Sequence, residues 1–155
     1  MKIEEELQVR QFKSEWHKAT VNLVFTANKL TEILEKRAEK QQITLQQFNA
    51  LRILRGQYPQ PANNNLLKTR LLTNTPDISR LMDRLVAKNL VSRCKSAEDK
   101  RSVDLVITDK GLVVLEELEE TMLLNDILPK NFKEKDCERL SDLLDKLRNS
   151  LRLEE

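Results

Sequence analysis

The spacing of apolar residues along this 155-residue chain changes from a helical repeat to a strand repeat and then back to a helical one. Up to Asn89 the apolar side chains recur every three or four residues, which is the repeat of a buried helix face. Residues 91–94 and 102–107 instead follow a period of two, which is the repeat of a half-buried strand. The charged segment KSAEDKR separates these two stretches. The pattern therefore predicts a β-hairpin set among helices.

Capping residues and helix breakers predict where the elements begin and end. The stretch from Val9 to about Lys40 contains neither Gly nor Pro, so it is predicted to be one long helix. The next predicted helix is Leu45–Arg55, which Thr44 caps and Gly56 ends, and the one after it is Leu66–Leu72, with a cap at Asn64 or Asn65. A fourth helix is predicted from Pro76 to about Asn89. Thr108 is predicted to cap a fifth helix, and a last helix is predicted from about Lys133, beyond Pro129. The residues expected to face inward are Ile78, Leu81, Leu85 and Val86 on the fourth helix, and Val103, Leu105 and Ile107 on the second strand.

The first long helix carries more apolar surface than one contact face needs. One strip is Val9, Phe12, Trp16, Leu23, Leu30 and Leu34, and a second is Val21, Val24 and Phe25. The last helix carries Leu140, Leu143, Leu144, Leu147 and Leu151. A helix with two strips can pack against its own chain with one and against a second chain with the other. We therefore expect a homodimer formed through the two chain ends; the alternative is a helix at the centre of a monomeric core.

The composition excludes several classes of protein. With 34% charged residues, two Gly and four Pro, the chain favours long helices over a glycine-rich α/β fold or a disordered polymer. No apolar run approaches the roughly 18 residues that span a bilayer, and the N-terminus is acidic where a secretion signal would be apolar. Two cysteines make no disulfide framework, so a cytoplasmic protein without membrane contact is expected. One His and no phosphate-binding Gly loop predict no enzymatic activity, no metal and no cofactor.

The net charge of +2 is unevenly distributed along the chain. Residues 1–63 carry +3, residues 64–103 carry +5, and residues 104–155 carry −6. A compact basic middle indicates a local site for a polyanion.

The order of elements in this basic middle is that of a winged helix-turn-helix: two short helices, a tight turn between them, and a β-hairpin. In such a module the second helix fits the major groove of duplex DNA, and the hairpin reaches the adjacent backbone or minor groove. The fold class predicted is mainly α (α+β), with a small hairpin wing and long N- and C-terminal dimerisation helices. The candidate DNA contacts are Thr75, Asp77, Ser79, Arg80 and Arg84 on the helix, and Lys95, Lys100 and Arg101 on the hairpin. Any single charge among these residues more often solvates the surface than binds a ligand, but the element order, the charge and the hairpin coincide here.

The segment LMDRLVAKNLVSRCKSAEDKRSVDLVITDKG resembles the signature of the MarR family of bacterial winged helix-turn-helix transcriptional regulators. The family pattern of D-x-R, spaced apolar residues, Thr and Lys-Gly falls on Asp99, Arg101, Val103, Leu105, Ile107, Thr108, Lys110 and Gly111. The sequence departs from the pattern at Lys100, where the family often has Arg, and at Asn89, where it often has Gly. Lys keeps the charge but loses any bidentate contact, and Asn tolerates the left-handed turn.

The resemblance extends over essentially the whole chain and implies an organisation within one domain, 1–155. Residues 44–108 correspond to the DNA-binding lobe, and residues 5–40 and 109–155 to the helical dimerisation region.

The resemblance also implies roles for individual residues. Arg101 would enter the minor groove, and Asp99 would orient it or a neighbouring Arg, although Asp99 can equally be a simple turn residue. On the helix, Ser79 and Arg80 are the first choices for base or phosphate contacts. An acid at Asp77 also interacts favourably with the helix dipole. Asn64 and Asn65 could place a helix N-terminus against a phosphate, although capping alone explains them.

Two kinds of sensor are compatible with this family. Its members commonly respond to small aromatic or phenolic anions bound in a crevice beside the dimer helices, and the candidates by position are Trp16, His17, Phe25, Phe48, Arg52 and Arg55. Aromatic residues at helical spacing are more often ordinary core. Some members sense oxidants through a reactive Cys in the first helix, where this sequence has no Cys. Cys94 lies beside Arg93 and Lys95, which would favour a thiolate if the side chain is exposed. A packed and inert side chain is the default for both Cys94 and Cys137.

The function predicted is that of a sequence-specific, DNA-binding transcriptional regulator: a homodimer on a pseudo-palindromic operator, acting as a repressor that a small-molecule effector releases. The alternatives are a winged-helix module that binds another protein, and a thiol-based redox-sensing regulator.

Overall fold

The computed structural model describes residues 1–72, 77–95 and 103–152, which divide into two compact units, 1–116 and 117–155. The helices are α1 (Ile3–Glu6), α2 (Glu15–Glu39), α3 (Leu45–Arg55), α4 (Asn64–Arg70), α5 (Ile78–Ala87), α6 (Asp109–Met122), a 3-10 turn (Leu128–Lys130) and α7 (Glu134–Leu151). The strands β1 (Val91–Lys95) and β2 (Val103–Ile107) form an antiparallel hairpin. This confirms the mainly helical, winged fold class. None of the described helices is long and apolar enough to cross a bilayer.

The first long helix begins later than its sequence pattern suggests. It starts at Glu15 rather than near Val9, because the Ser14 hydroxyl accepts a hydrogen bond from the His17 N–H at 3.2 Å and so caps the helix there. The chain before it forms the short helix α1 and a turn in which Gln8 has a φ of 53°. Glu4 of α1 pairs with Lys18 of α2 at 2.5 Å, which ties this segment to the long helix.

The caps of the central helices are partly as predicted. Thr44 caps α3 in a reciprocal arrangement with Gln47, and Gly56 lies at its end in a right-handed conformation. The cap of α4 is Asn63, not Asn64 or Asn65, and its Oδ1 accepts the Leu66 N–H at 2.9 Å. The physical reason is tertiary: Ala62 forms a two-way backbone bridge with Leu105 of β2, so the chain leaves that extended bridge at residue 63.

The helix expected to begin at Pro76 begins instead at Ile78. Asp77 is its N-cap, and the Asp77 Oδ1 accepts the Arg80 N–H at 2.9 Å. An Asp at this position satisfies an otherwise unpaired N–H group and places a negative charge at the helix N-terminus. The predicted cap in Thr73-Asn74-Thr75 and the predicted first residue Pro76 lie outside the described residues.

The core of the first unit lies where α3, α4, α5 and the hairpin meet. Its fully buried side chains are Leu51, Leu54, Leu67, Met82, Leu85, Val91, Leu105 and Leu115. On α5 the expected Leu81 and Leu85 are buried, Met82 joins them, and Ile78 and Val86 are only half-buried.

The inner face of the hairpin is shorter than predicted. Leu105 and Ile107 are buried, but Val103 is 45% exposed. Val103 pairs with Lys95 at one end of the two-stranded sheet, and Val91 pairs with Ile107 at the other. Val103 therefore lies beyond the helices that cover the rest of the strand. The expectation that all three alternating residues face inward is therefore wrong for Val103.

The corner between the hairpin and α6 explains the Thr, Lys and Gly of the sequence motif. Asn89 has the expected left-handed conformation, with a φ of 59°. The Thr108 hydroxyl donates to the Asn89 carbonyl at 2.7 Å and accepts the Gly111 N–H at 3.1 Å, and the Lys110 ammonium donates to the Lys88 carbonyl at 3.1 Å. These bonds satisfy carbonyl groups at the end of α5 and fasten it to the start of α6.

Several helices expose apolar residues. On α2 these are Trp16, Leu23, Val24 and Leu30, and on α7 they are Leu140, Leu143, Leu147 and Leu151. Val21, Phe25 and Leu144 are half-buried. Both sets coincide with the strips that predicted a second chain.

Candidate nucleic-acid interface

Helix α5 has two chemically distinct faces. Leu81, Met82 and Leu85 are buried, and the opposite face exposes polar and charged side chains. The exposed residues are Ser79, Arg80, Asp83, Arg84 and Ala87. A short helix whose free face carries a hydroxyl and two guanidinium groups can offer hydrogen-bond donors both to base edges and to phosphates.

The carboxylate of Asp77 has a structural task in this helix. The sequence suggested that Asp77 is an outward-facing residue of the first turn. It is instead the N-cap, because its carboxylate accepts the Arg80 N–H. The cap fixes where α5 starts, and with it the direction in which Ser79 and Arg80 point. Asp77 is therefore a positioning residue of this surface.

An ion pair connects the helix to the wing. Arg93 of β1 pairs with Asp83 of α5, and both side chains remain partly exposed. Asp83 is the one acid on the exposed face of α5, and Arg93 neutralises it at the point where a polyanion would approach. Sequence reasoning did not select either residue as a contact, because two residues on different elements give no local signal of a pairing.

The remaining candidates of the DNA-binding surface are spread over α4 and the hairpin. Asn64 and Asn65 lie exposed in the first turn of α4, beside the true cap. Lys95 is exposed at the end of β1. The candidates Thr75, Asp99, Lys100 and Arg101 lie outside the described residues.

The candidates for an effector pocket lie in different surroundings. Trp16 is 85% exposed, and His17 stacks edge-on against Phe12 with 5.4 Å between the ring centroids. Phe25 is half-buried under the ammonium of Lys29, and Phe48 belongs to the core. That these residues jointly line one pocket stays a prediction.

Two clefts do open on the first unit. The first has a volume of about 460 Å³, lies between α2 and α3, and is lined by Thr31, Glu35, Glu39, Thr44, Leu45, Gln46 and Asn49. The second has a volume of about 290 Å³, lies between α3 and the end of α4, and is lined by Asn49, Arg52, Ile53, Gly56, Arg70 and Leu72. Of the six effector candidates, Arg52 alone lines either cleft.

The cysteines are both free. Cys94 is exposed on β1, which contradicts the expectation of a packed side chain, and Cys137 is half-buried on α7. The Cys94 thiol lies 3.6 Å from the carbonyl of Asp104 on the paired strand. Within the ranges that the structure describes, no group of three or more His, Cys, Asp or Glu side chains could hold a metal ion.

Comparison with known proteins agrees with this geometry. Residues 43–103, which contain α3, α4, α5 and β1, match the model of the MarR family. A MarR transcription factor from Planctomyces limnophilus is 31% identical with a TM-score of 0.64, and the match covers 92% of this chain and 97% of that one. A mutant of MarR from E. coli, solved in complex with operator DNA, is 25% identical with a TM-score of 0.74, over 88% of this chain and 98% of that one.

Wild-type E. coli MarR in its apo form is 28% identical with a TM-score of 0.65, over 81% of this chain and 94% of that one. The comparison with curated proteins finds no match. The family model covers the helix-turn-helix and the first strand of the hairpin, and the solved relatives extend the likeness over the long helices at both ends. The chain therefore belongs to the MarR family, whose members are DNA-binding transcription regulators and not enzymes.

Proposed function

We propose that this regulator binds a pseudo-palindromic operator as a homodimer and that each protomer inserts α5 into the major groove. The observation that carries the proposal is the exposed face of α5, where Ser79, Arg80 and Arg84 surround a single acid that Arg93 already neutralises. The complex of an E. coli MarR mutant with operator DNA, a relative of similar fold, supports operator binding. Two-fold symmetry then requires half-sites whose centres lie about 10 base pairs apart.

The dimer rests on the apolar faces of α2 and α7. Their exposed leucines, together with Val24 and Trp16, form more apolar surface than a small monomer usually leaves in water. We assign residues 5–40 and 109–155 to the dimerisation region and residues 44–108 to the DNA-binding lobe. Sedimentation at micromolar concentration is expected to give a dimer, and a clean monomer would contradict this assignment.

The wing supplies the second contact in this proposal. By the family resemblance, Arg101 enters the minor groove and Asp99 orients it, while Lys95 and Lys100 add attraction to the phosphates. The proposed surface also includes Thr75, Asn64 and Asn65, which contact the phosphate backbone of the DNA near helix N-termini.

The test begins by selecting bound duplexes from a random pool and then titrating one selected operator by fluorescence anisotropy at several salt concentrations. Arg84→Ala is expected to weaken binding by about 1–3 kcal/mol and to make the salt dependence shallower by about one unit. Lys2→Ala, which removes an exposed charge outside both the dimerisation region and the DNA-binding lobe, is the matched control and should leave the affinity unchanged.

Two results would refute this mode of binding. One is equal affinity for the selected operator and for an unrelated duplex. The other is an affinity that does not fall when five base pairs are inserted between the half-sites, since the insertion moves one major groove to the opposite side of the duplex.

We further propose that the regulator acts as a repressor in the bacterial cytoplasm and that a small-molecule effector releases it. A dimer that covers an operator inside a promoter competes directly with RNA polymerase for the same DNA. A reporter placed behind the selected operator should therefore rise when the chain is absent; a reporter that falls would identify an activator.

A further inference from the structure

Two cations lie on the inner face of the hairpin, which is the face that carries its buried residues. Side chains alternate along a strand, and directly opposed residues of an antiparallel pair share a face. The pairs on the inner face, from its base outwards, are Val91–Ile107, Arg93–Leu105 and Lys95–Val103. The first pair and Leu105 are buried, whereas Arg93, Lys95 and Val103 are exposed. The inner face is therefore apolar where it joins the core and cationic further out.

The carboxylate of Asp83 on α5 holds the Arg93 guanidinium but engages only part of it. Nη2 of Arg93 donates to Oδ1 of Asp83. Across residues 1–72, 77–95 and 103–152 this is the one hydrogen-bonded partner of the guanidinium, which carries five N–H donors. The Arg93 side chain is 42% exposed, so its remaining donors are accessible to a second acceptor. An ion pair this exposed adds little to stability, but it fixes where the guanidinium lies.

The grooves of duplex DNA determine what passes between α5 and the hairpin. In the proposed complex α5 lies in the major groove and the wing reaches the adjacent minor groove. One sugar–phosphate strand separates these two grooves. That strand must run between the exposed face of α5 and the inner face of the hairpin, where Arg93 and Lys95 lie. Within the part of the chain that the structure describes, Lys95 has no carboxylate within ion-pair distance.

We propose that Arg93 binds a phosphate of the strand that separates the two grooves. Asp83 holds the guanidinium beside α5, and the donors that Asp83 does not engage bind the phosphate oxygens as charge-assisted hydrogen bonds. Lys95, one residue pair further out, adds a second cation that faces the same strand. A phosphate contact carries no base information, but it fixes the register and orientation of α5 in the groove. This inference rests on the proposed insertion of α5 into the major groove.

A charge-matched double variant separates this role from simple neutralisation of Asp83. Asp83→Asn combined with Arg93→Gln removes one acid and one base, so the net charge is unchanged. If Arg93 binds a phosphate, the double variant should bind the selected operator about tenfold more weakly than the wild type, and its salt dependence should be shallower by about one unit. If Arg93 only cancels the charge of Asp83, the double variant would keep the affinity and the salt dependence of the wild type. That result would overturn the proposal.

A second measurement identifies the phosphate. Operators that each carry one uncharged methylphosphonate linkage, placed in turn along the strand between the two grooves, are titrated with the full chain. One of these linkages should weaken binding of the wild type by about tenfold and binding of the double variant by less than about twofold, because the double variant has already lost the contact. Equal losses for both proteins would overturn the proposal, as would a wild type that no linkage in this segment weakens.

Controls keep the outcomes distinct. Lys2→Gln removes an exposed charge outside both the dimerisation region and the DNA-binding lobe and should change neither the affinity nor the salt dependence. Thermal unfolding of the double variant should match that of the wild type, because an exposed ion pair adds little stability. If the double variant unfolded, the methylphosphonate scan with the wild type would decide alone. Failure of the wild type to bind any selected duplex would instead refute the proposed function.

Discussion

Substitution of Gly111 by Ala tests whether the motif glycine is required by packing. A Gly inside a helix usually costs about 0.5–1 kcal/mol relative to Ala, so the substitution would be stabilising if space allowed it. Here the new Cβ would lie 2.4 Å from the Leu90 carbonyl oxygen and 2.7 Å from Cγ1 of Ile107. The carbonyl cannot move away freely, because it accepts the Thr108 N–H at 3.1 Å.

Overpacking of this kind costs about 1–3 kcal/mol, which exceeds the gain in helix propensity. We expect Gly111→Ala to lower the free energy of unfolding by about 2 kcal/mol, or the midpoint temperature by roughly 4–8 °C for a chain of this size. The measurement is thermal and urea unfolding followed by circular dichroism at one fixed protomer concentration, since dimer stability depends on concentration.

The other glycine is the matched control. A Cβ at Gly56 would meet its nearest atom, the Ile53 carbonyl oxygen, at an ordinary 3.4 Å, and the residue already has a right-handed conformation with a φ of −64°. Gly56→Ala should therefore be neutral or stabilise by up to about 1 kcal/mol. If Gly111→Ala were as stable as the wild type, or if both variants lost the same stability, the packing argument would be refuted.

Three further predictions concern a cap, an ion pair and the wing. Asp77→Ala should destabilise the chain by about 1 kcal/mol in urea unfolding and Asp77→Asn by much less, because Asn can also cap; equal losses would contradict the cap. The hydrogen bond from Lys18 lowers the pKa of Glu4 below its ordinary value of 4.5. The ion pair therefore stabilises the folded protein above pH 4.5, and this contribution to stability is lost as the pH falls through the pKa of Glu4 in the folded state. Acid unfolding of Glu4→Gln should accordingly depend less steeply on pH than that of the wild type, and identical profiles would exclude the pair. In operator titrations, Arg101→Ala should cost about 1–3 kcal/mol and Lys100→Ala a few tenths, whereas equal losses would indicate an undifferentiated basic wing.

Helix caps and strand repeats were predictable because they depend on neighbours along the chain. The caps Thr44 and Thr108 and the left-handed Asn89 each act within three or four residues, so their side chains alone indicate the element boundaries. The uneven charge and the period of two at the hairpin likewise placed the DNA-binding module in the basic middle of the chain. The family signature, which spans this same segment, added the assignment to MarR regulators.

Two of the errors arose where the local pattern left the choice open and tertiary packing decided it. Three consecutive asparagines can each cap a helix, and only the backbone bridge between Ala62 and Leu105 made Asn63 the cap. The alternation of β2 did not show where the covering helices end, so it placed the exposed Val103 inside.

The site itself shows the same division. The sequence determined that α5 has a basic outer face and an apolar inner face, because a helical repeat assigns residues to faces without knowledge of the fold. It could not show that Arg93 neutralises Asp83, or that Arg52 and Arg70 border one cleft. Those relationships join residues on different elements, and only the packing of the helices and the hairpin brings such residues within contact distance.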